Sequence, residues 1–185
     1  MSRSIDVRAV LDRPQLGAFR LRVFAVCWAI ALLDGFDVQA MAFVAPVLSA
    51  SWGIAPALMG QVLTASLFGL MLGSVLLGRL SDRIGRRPVI IASVLAFGLG
   101  SLVTALGTTA GQLILTRCLT GIGLGGAMVT ALSLTSEYAP ERSRATLVTA
   151  MFVGFPLGGA IGGIVAAPLI AVVGWQGIFI VGGIA

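Results

Sequence analysis

Residues 23–50 read VFAVCWAIALLDGFDVQAMAFVAPVLSA, an apolar run interrupted at Asp34, Gly35 and Asp37. At 1.5 Å per residue this run covers roughly 40 Å as a helix, enough to cross a hydrocarbon layer of about 30 Å with some tilt. The alternative is two short segments joined by a loop at Asp34-Gly35-Phe36-Asp37. The flanking runs are about 11 and 13 residues long, too short for either to cross alone. One continuous helix follows, with two carboxylates near its middle.

Outward from this run the pattern repeats. Apolar stretches occupy about 56–78, 88–107, 112–136 and 145–170, each near or above the roughly 20 residues that a span requires. A sixth begins at 174 and reaches 185, about 18 Å of helix, and reads as incomplete. The expected fold is therefore an all-α membrane protein: a cytoplasmic segment over 1–22 followed by a helical unit over 23–185. Composition agrees. A mean hydropathy of +1.06 with 10% charged residues lies far from soluble usage, where about a quarter of residues are charged.

The inventory excludes some chemistry outright. The chain contains no His, Lys or Asn, so histidine catalysis, histidine metal ligation and N-glycosylation are impossible. No metal or cofactor is expected. Cys27 and Cys118 lie in apolar stretches without zinc or redox spacing and read as packing residues. The first 22 residues lack a signal-peptide core, so no cleavage is expected.

Orientation comes from arginine, which supplies every positive charge. Arg3, Arg8, Arg13, Arg20 and Arg22 precede helix 1, Arg79, Arg83, Arg86 and Arg87 lie between helices 2 and 3, and Arg142 and Arg144 between helices 4 and 5. The opposite connections, near 51–55, 108–111 and 171–176, carry no charge. The positive-inside bias then puts the N-terminus in the cytoplasm of an inner (plasma) membrane protein, with Trp52 and Trp175 at the outer interface and Tyr138 at the inner one. The arginines are dispersed on short loops beside lipid headgroups, a pattern that argues against nucleic acid as a partner.

Three ionisable residues remain inside the spans. Asp34 and Asp37 are three apart and share one helix face, which should line a cavity. Arg117 lies a turn or two inside the outer end of helix 4. It either snorkels to the interface or pairs with a helix 1 carboxylate, and Asp37, one turn nearer that side, is the favoured partner. One cation facing two carboxylates leaves a carboxylate free to gain or lose a proton, as a proton-coupled carrier requires.

Gly121, Gly123 and Gly126 match dinucleotide-loop spacing, but no strand precedes them. They and Gly154 and Gly158 instead read as sites of close helix approach, with Pro156 as a kink point.

The segment Gly78-Arg79-Leu80-Ser81-Asp82-Arg83-Ile84-Gly85-Arg86-Arg87 resembles the signature loop between helices 2 and 3 of the major facilitator superfamily. Arg117-Cys-Leu-Thr-Gly121 resembles that family's helix 4 motif, and Ser136-Glu-Tyr-Ala-Pro-Glu-Arg142 its following loop. With Asp34-Gly-Phe-Asp37, the pattern is most similar to the aromatic acid/proton symporters.

The resemblance implies the N-terminal six-helix half of a twelve-helix carrier that takes up benzoate-like anions with a proton. In that case Asp34 and Asp37 serve uptake, Arg117 pairs with one of them, and Asp82, Arg83 and Arg87 lock an inner gate that also includes Gly78, Gly85, Arg86, Glu137 and Arg142. Within that gate Arg83 is expected to approach Glu137.

Partners would be the lipid bilayer, protons, a small organic acid, and either a C-terminal half or a second copy. Helix 5 departs from the drug antiporter order Gly-Pro-x-x-Gly-Gly, which disfavours export. A membrane-embedded enzyme is disfavoured by the missing His and by the absence of further in-span carboxylates.

Overall fold

A computed structural model describes residues 17–185, and among them every regular element is helical. The helices are α1 (Gly17–Trp52), α2 (Pro56–Ile84), α3 (Arg86–Ala105), α4 (Ala110–Tyr138), α5 (Arg144–Val173) and α6 (Gln176–Ile184), with a 3₁₀ turn at Glu141–Ser143 before α5. Arg3, Asp6, Arg8, Asp12 and Arg13 lie outside the described residues.

The 36-residue α1 is continuous through Asp34 and Asp37 and through Pro46. Both carboxylates therefore sit on a rigid element. Four helical segments, Pro56–Ile84, Arg86–Ala105, Ala110–Tyr138 and Glu141–Val173, are long and apolar enough to cross a membrane. The chain is a multi-pass membrane protein.

The main departure from the sequence reading concerns the 78–87 segment, expected as a loop. Here α2 runs on to Ile84, and the whole connection to α3 is Gly85, at φ 97°. Charge ends a membrane span without ending a helix. Beyond the hydrocarbon edge, backbone hydrogen bonds are still best satisfied within the helix, so Arg79–Arg83 add about one and a half further turns. Only Gly85, in a backbone region that a side chain would strain, reverses the chain. The other helix boundaries move by a few residues from those expected, and α1 is already helical over 17–22, ahead of the expected 23.

Packing places α4 at the centre, against α1, α2, α3 and α5, while α1 lies along α5 and α6 along α3. Small residues permit this. A Cβ on Gly121 would meet the backbone of Ser66 and Gly69 in α2, one on Gly123 would come within 2.6 Å of Phe97 N in α3, and one on Gly126 within 2.6 Å of Ser93 Oγ. On the other side, a Cβ on Gly154 would lie 2.8 Å from Trp28 O, and one on Gly158 would meet Leu32 O. Backbones in close approach gain dispersion contacts, the main association force where lipid is as apolar as the helix surface. Helix α5 continues through Pro156.

The apolar core is divided. One cluster, including Phe36, Val44, Leu48, Leu113, Trp175 and Phe179, fills the end where Trp52 and Trp175 meet edge-to-face at 5.7 Å. A second, including Cys27, Ile30, Ala31, Ala127, Ala131 and Met151, fills the arginine-rich end. Asp34 and Arg117 fall between the two clusters along α1 and α4.

Candidate functional site

Asp34 and Asp37 on α1 are each 3% exposed, and Arg117 on α4 is 1% exposed. Arg117 Nη1 donates to Asp37 Oδ1 at 3.0 Å, and Nη2 pairs with Asp37 Oδ2. The fork-to-fork arrangement is the strongest geometry open to these two groups. Snorkelling is therefore overturned: the guanidinium points inward and takes the expected partner.

Two further elements hold the guanidinium. Ser66 Oγ of α2 accepts from Nη2 at 3.4 Å. Phe179 of α6 presents its ring with the centroid 5.4 Å from Arg117 Cζ, and its own carbonyl accepts from Ser101 Oγ of α3 at 3.0 Å. A cation over an aromatic face is attracted most where water is excluded. Neither Ser66 nor Phe179 was singled out in the sequence, because one hydroxyl and one ring among many apolar residues give no periodic signal.

Asp34 Oδ1 and Arg117 Nε are buried without a hydrogen-bond partner. Thr116 and Thr120, the nearest hydroxyls in sequence, bond their own helix at Leu113 O and Arg117 O, 3.2 and 2.9 Å. Asp34 thus remains a carboxylate outside the ion pair. Between the two aspartates, Gly35 is a crossing point: a Cβ there would meet Phe155 O of α5. Beside it Val38, Gln39, Phe155, Pro156 and Gly159 line an open recess between α1 and α5. Gly35 and Val38 border the recess, while Asp34 itself is buried and is not among its lining residues.

At the arginine-rich end a second cluster forms. Arg86 Nη1 lies 2.7 Å from Asp82 Oδ1 and donates to Ser81 Oγ at 2.9 Å. Its Nη2 and Nε donate to Glu137 Oε1 at 2.9 and 3.1 Å. One guanidinium joins α2, α3 and α4.

The expected Arg83–Glu137 approach is not observed: Arg83 is exposed on the last turn of α2, and Arg86 takes Glu137. The cause is the helical continuation of α2. It turns Arg83 about 100° from Asp82 around the axis, whereas Arg86 opens α3 beside the end of α4. Arg87 and Arg142 are exposed and join neither cluster. Gly78 packs toward α4, where a Cβ would lie 3.3 Å from Val129 Cγ1. Among the described residues no group of three or more potential metal ligands is present.

Residues 27–185 match the model of the Major Facilitator Superfamily. The chain is 44% identical over 184 residues to the 4-hydroxybenzoate transporter PcaK of Pseudomonas putida, covering 100% of this chain and 41% of that protein. It is 39% identical over 180 residues to a gallate transporter of the same species (97% and 40%) and 32% identical over 189 residues to a benzoate transport protein of Acinetobacter baylyi (100% and 41%). The chain thus spans about 40% of the length of these curated relatives. In fold it is similar to the inward-open xylose transporter XylE of E. coli, at TM-score 0.75 and 24% identity, over 89% of this chain and 45% of that one. The matched relatives and this neighbour are transporters, not enzymes. With the family model extending over nearly all of the six-helix bundle, the chain belongs to the major facilitator superfamily.

Proposed function

We propose that this chain is the N-terminal half of a proton-coupled symporter that carries small aromatic carboxylates, such as benzoate or hydroxybenzoates, into the cell. The observation that carries this reading is the buried constellation in which Asp37 holds Arg117 in a fork while Asp34 stands outside the ion pair. A positive charge fixed on one of two carboxylates leaves the other as the group whose charge can change at least structural cost. An incoming carboxylate can compete for the guanidinium, and a proton taken up at Asp34 offsets the negative charge that carboxylate brings. Charge then stays balanced through the cycle.

The similarity to transporters of 4-hydroxybenzoate, gallate and benzoate supports the substrate class. The recess between α1 and α5 is floored by glycine and walled by Phe155 and Pro156, surfaces that suit a planar ring. The arginine-rich end faces the cytoplasm of an inner membrane by the positive-inside bias. A second six-helix unit, either a C-terminal half or another copy of this chain, completes the cavity over the recess, since carriers of this kind bind substrate between two repeats. The Arg86 cluster then acts as an inner latch whose making and breaking selects between access states.

The test is uptake of labelled 4-hydroxybenzoate into proteoliposomes carrying the chain within its full reading frame, driven by an imposed inward proton gradient. Accumulation abolished by a protonophore is expected, and Asp34→Asn, which breaks no ion pair, should lower it by about tenfold or more, the scale of one lost proton-transfer group. Movement of the acid outward on the same gradient would identify an exporter and reject symport. Uptake by the 185-residue chain as a verified monomer would remove the need for a second unit.

A further inference from the structure

At the arginine-rich end, about 25 Å along α1 from Asp37, a cavity of about 240 Å³ lies between the start of α1, the end of α4 and the start of α5. Arg20 borders it, and two of its guanidinium nitrogens, Nε and Nη2, are buried without any hydrogen-bond partner. Buried guanidinium donors are normally matched by an acceptor, and a charged donor left unmatched is among the least tolerated states in a protein. The proposed transport mechanism makes no use of this group.

The remaining walls define what the acceptor is attached to. Tyr138 and Ser143 bring hydroxyl groups, while Leu21, Phe24 and Leu147 form an apolar side. Leu21 and the neighbouring Phe19 are exposed on the outside of α1, so the apolar side continues onto an exposed apolar surface. The volume is below the roughly 300–1,000 Å³ of pockets that enclose a whole small molecule. It suits one anionic group and the first part of a chain that remains outside. Arg142 and Arg144, exposed on the adjoining turn beside Glu141, leave that turn with a net positive charge.

We propose that Arg20, with Tyr138 and Ser143, binds the phosphate of one anionic phospholipid whose acyl chain lies along Leu21 and Phe24. The shared chemistry is a phosphate oxygen accepting from Nε and Nη2, the pair that forms the guanidinium fork. Free inorganic phosphate offers the same oxygens but gains nothing from the apolar wall. The transported acid offers a carboxylate but binds at the other site.

The experiment uses the 185-residue chain in detergent, with retained lipid counted by native mass spectrometry during titration with short-chain phosphatidylglycerol or phosphatidylcholine. One phosphatidylglycerol should be retained about tenfold more tightly than phosphatidylcholine, the scale of one charge-assisted contact. Arg20→Gln should erase that preference, and Arg22→Gln, which removes an equal charge from an exposed neighbour, should preserve it.

Equal retention of the two lipids, or a preference that survives Arg20→Gln, overturns the proposal. Displacement by millimolar inorganic phosphate or by benzoate reassigns the site to a free anion and overturns it as well. Should Arg20→Gln fail to fold, thermal unfolding of the unmodified chain decides. Phosphatidylglycerol must raise the midpoint more than phosphatidylcholine, and equal shifts reject the site.

Discussion

Two arginine–carboxylate clusters in this bundle use the same chemistry in opposite surroundings. At the centre, Arg117 and Asp37 are 1% and 3% exposed. At the arginine-rich end, Arg86, Asp82 and Glu137 are 25%, 64% and 49% exposed. The central pair has no water to fall back on, so each partner is held by the cost of leaving the other bare. Each member of the outer cluster can be solvated if the pair opens, so contact there adds little to stability and is readily exchanged. The first is suited to storing a charge that moves only when replaced. The second is suited to opening and closing.

The sharpest way to break the comparison is to remove one charge from the centre. Asp37→Asn should destabilise the bundle by about 3–5 kcal/mol, because Arg117 is left buried and uncompensated. Adding Arg117→Gln should recover most of that loss. Denaturant unfolding in detergent micelles, run as a double-mutant cycle, measures the coupling. Additive effects of the two substitutions would show that the pair contributes no more than two independent side chains.

A smaller effect is expected from the ring above the guanidinium. Phe179→Leu keeps an apolar side chain but removes the aromatic face, and should cost about 1–2 kcal/mol in the same unfolding assay, the scale of a desolvated cation–π contact. Phe179→Tyr should lose much less. If leucine and tyrosine behave alike, the ring acts by volume alone.

The smallest change belongs to the outer cluster. Arg86→Gln should alter stability by about 0–1 kcal/mol, and the effect should shrink as salt is raised. Transport by the full reading frame should nevertheless fall, because the latch biases a conformational equilibrium. Exchanging the charges in an Arg86→Glu, Glu137→Arg double variant should restore part of it, whereas reversing Arg83 should change neither stability nor rescue. Rescue of Glu137→Arg by Arg83→Glu instead would move the latch to Arg83.

Much of the central site was legible in the sequence because intramembrane charge is rare and costly. With Asp34, Asp37 and Arg117 as the ionisable groups inside the spans, Arg117 had two options, snorkelling or pairing, and depth along the two helices made Asp37 the favoured partner for pairing. The outer cluster was harder to read. Arg79, Arg83, Arg86 and Arg87 are all charged, all near water and all within a few residues of one another, so no energetic argument selects among them. The choice of Arg86 rests on α2 persisting to Ile84 and on a one-residue turn at Gly85. The glycines were recognisable as packing residues, but their partners were not. Gly35, first noted as an interruption beside two aspartates, is the point where α1 crosses Phe155.

By itself the sequence determined that this chain is a bundle of membrane helices with a carboxylate pair near the middle of helix 1 and one arginine a turn or two inside the outer end of helix 4. Hydrophobic length and the cost of charge in lipid are local properties, summed along the chain without knowing what lies beside it. Tertiary structure alone decided which carboxylate binds Arg117 in a fork, that Ser66 and Phe179 flank its guanidinium, that Arg86 takes Asp82 and Glu137, and that Arg20 is left facing a cavity. Each of these depends on the rotation and close approach of neighbouring helices. Those are set by glycine contacts between residues tens of positions apart, which no single stretch of sequence contains.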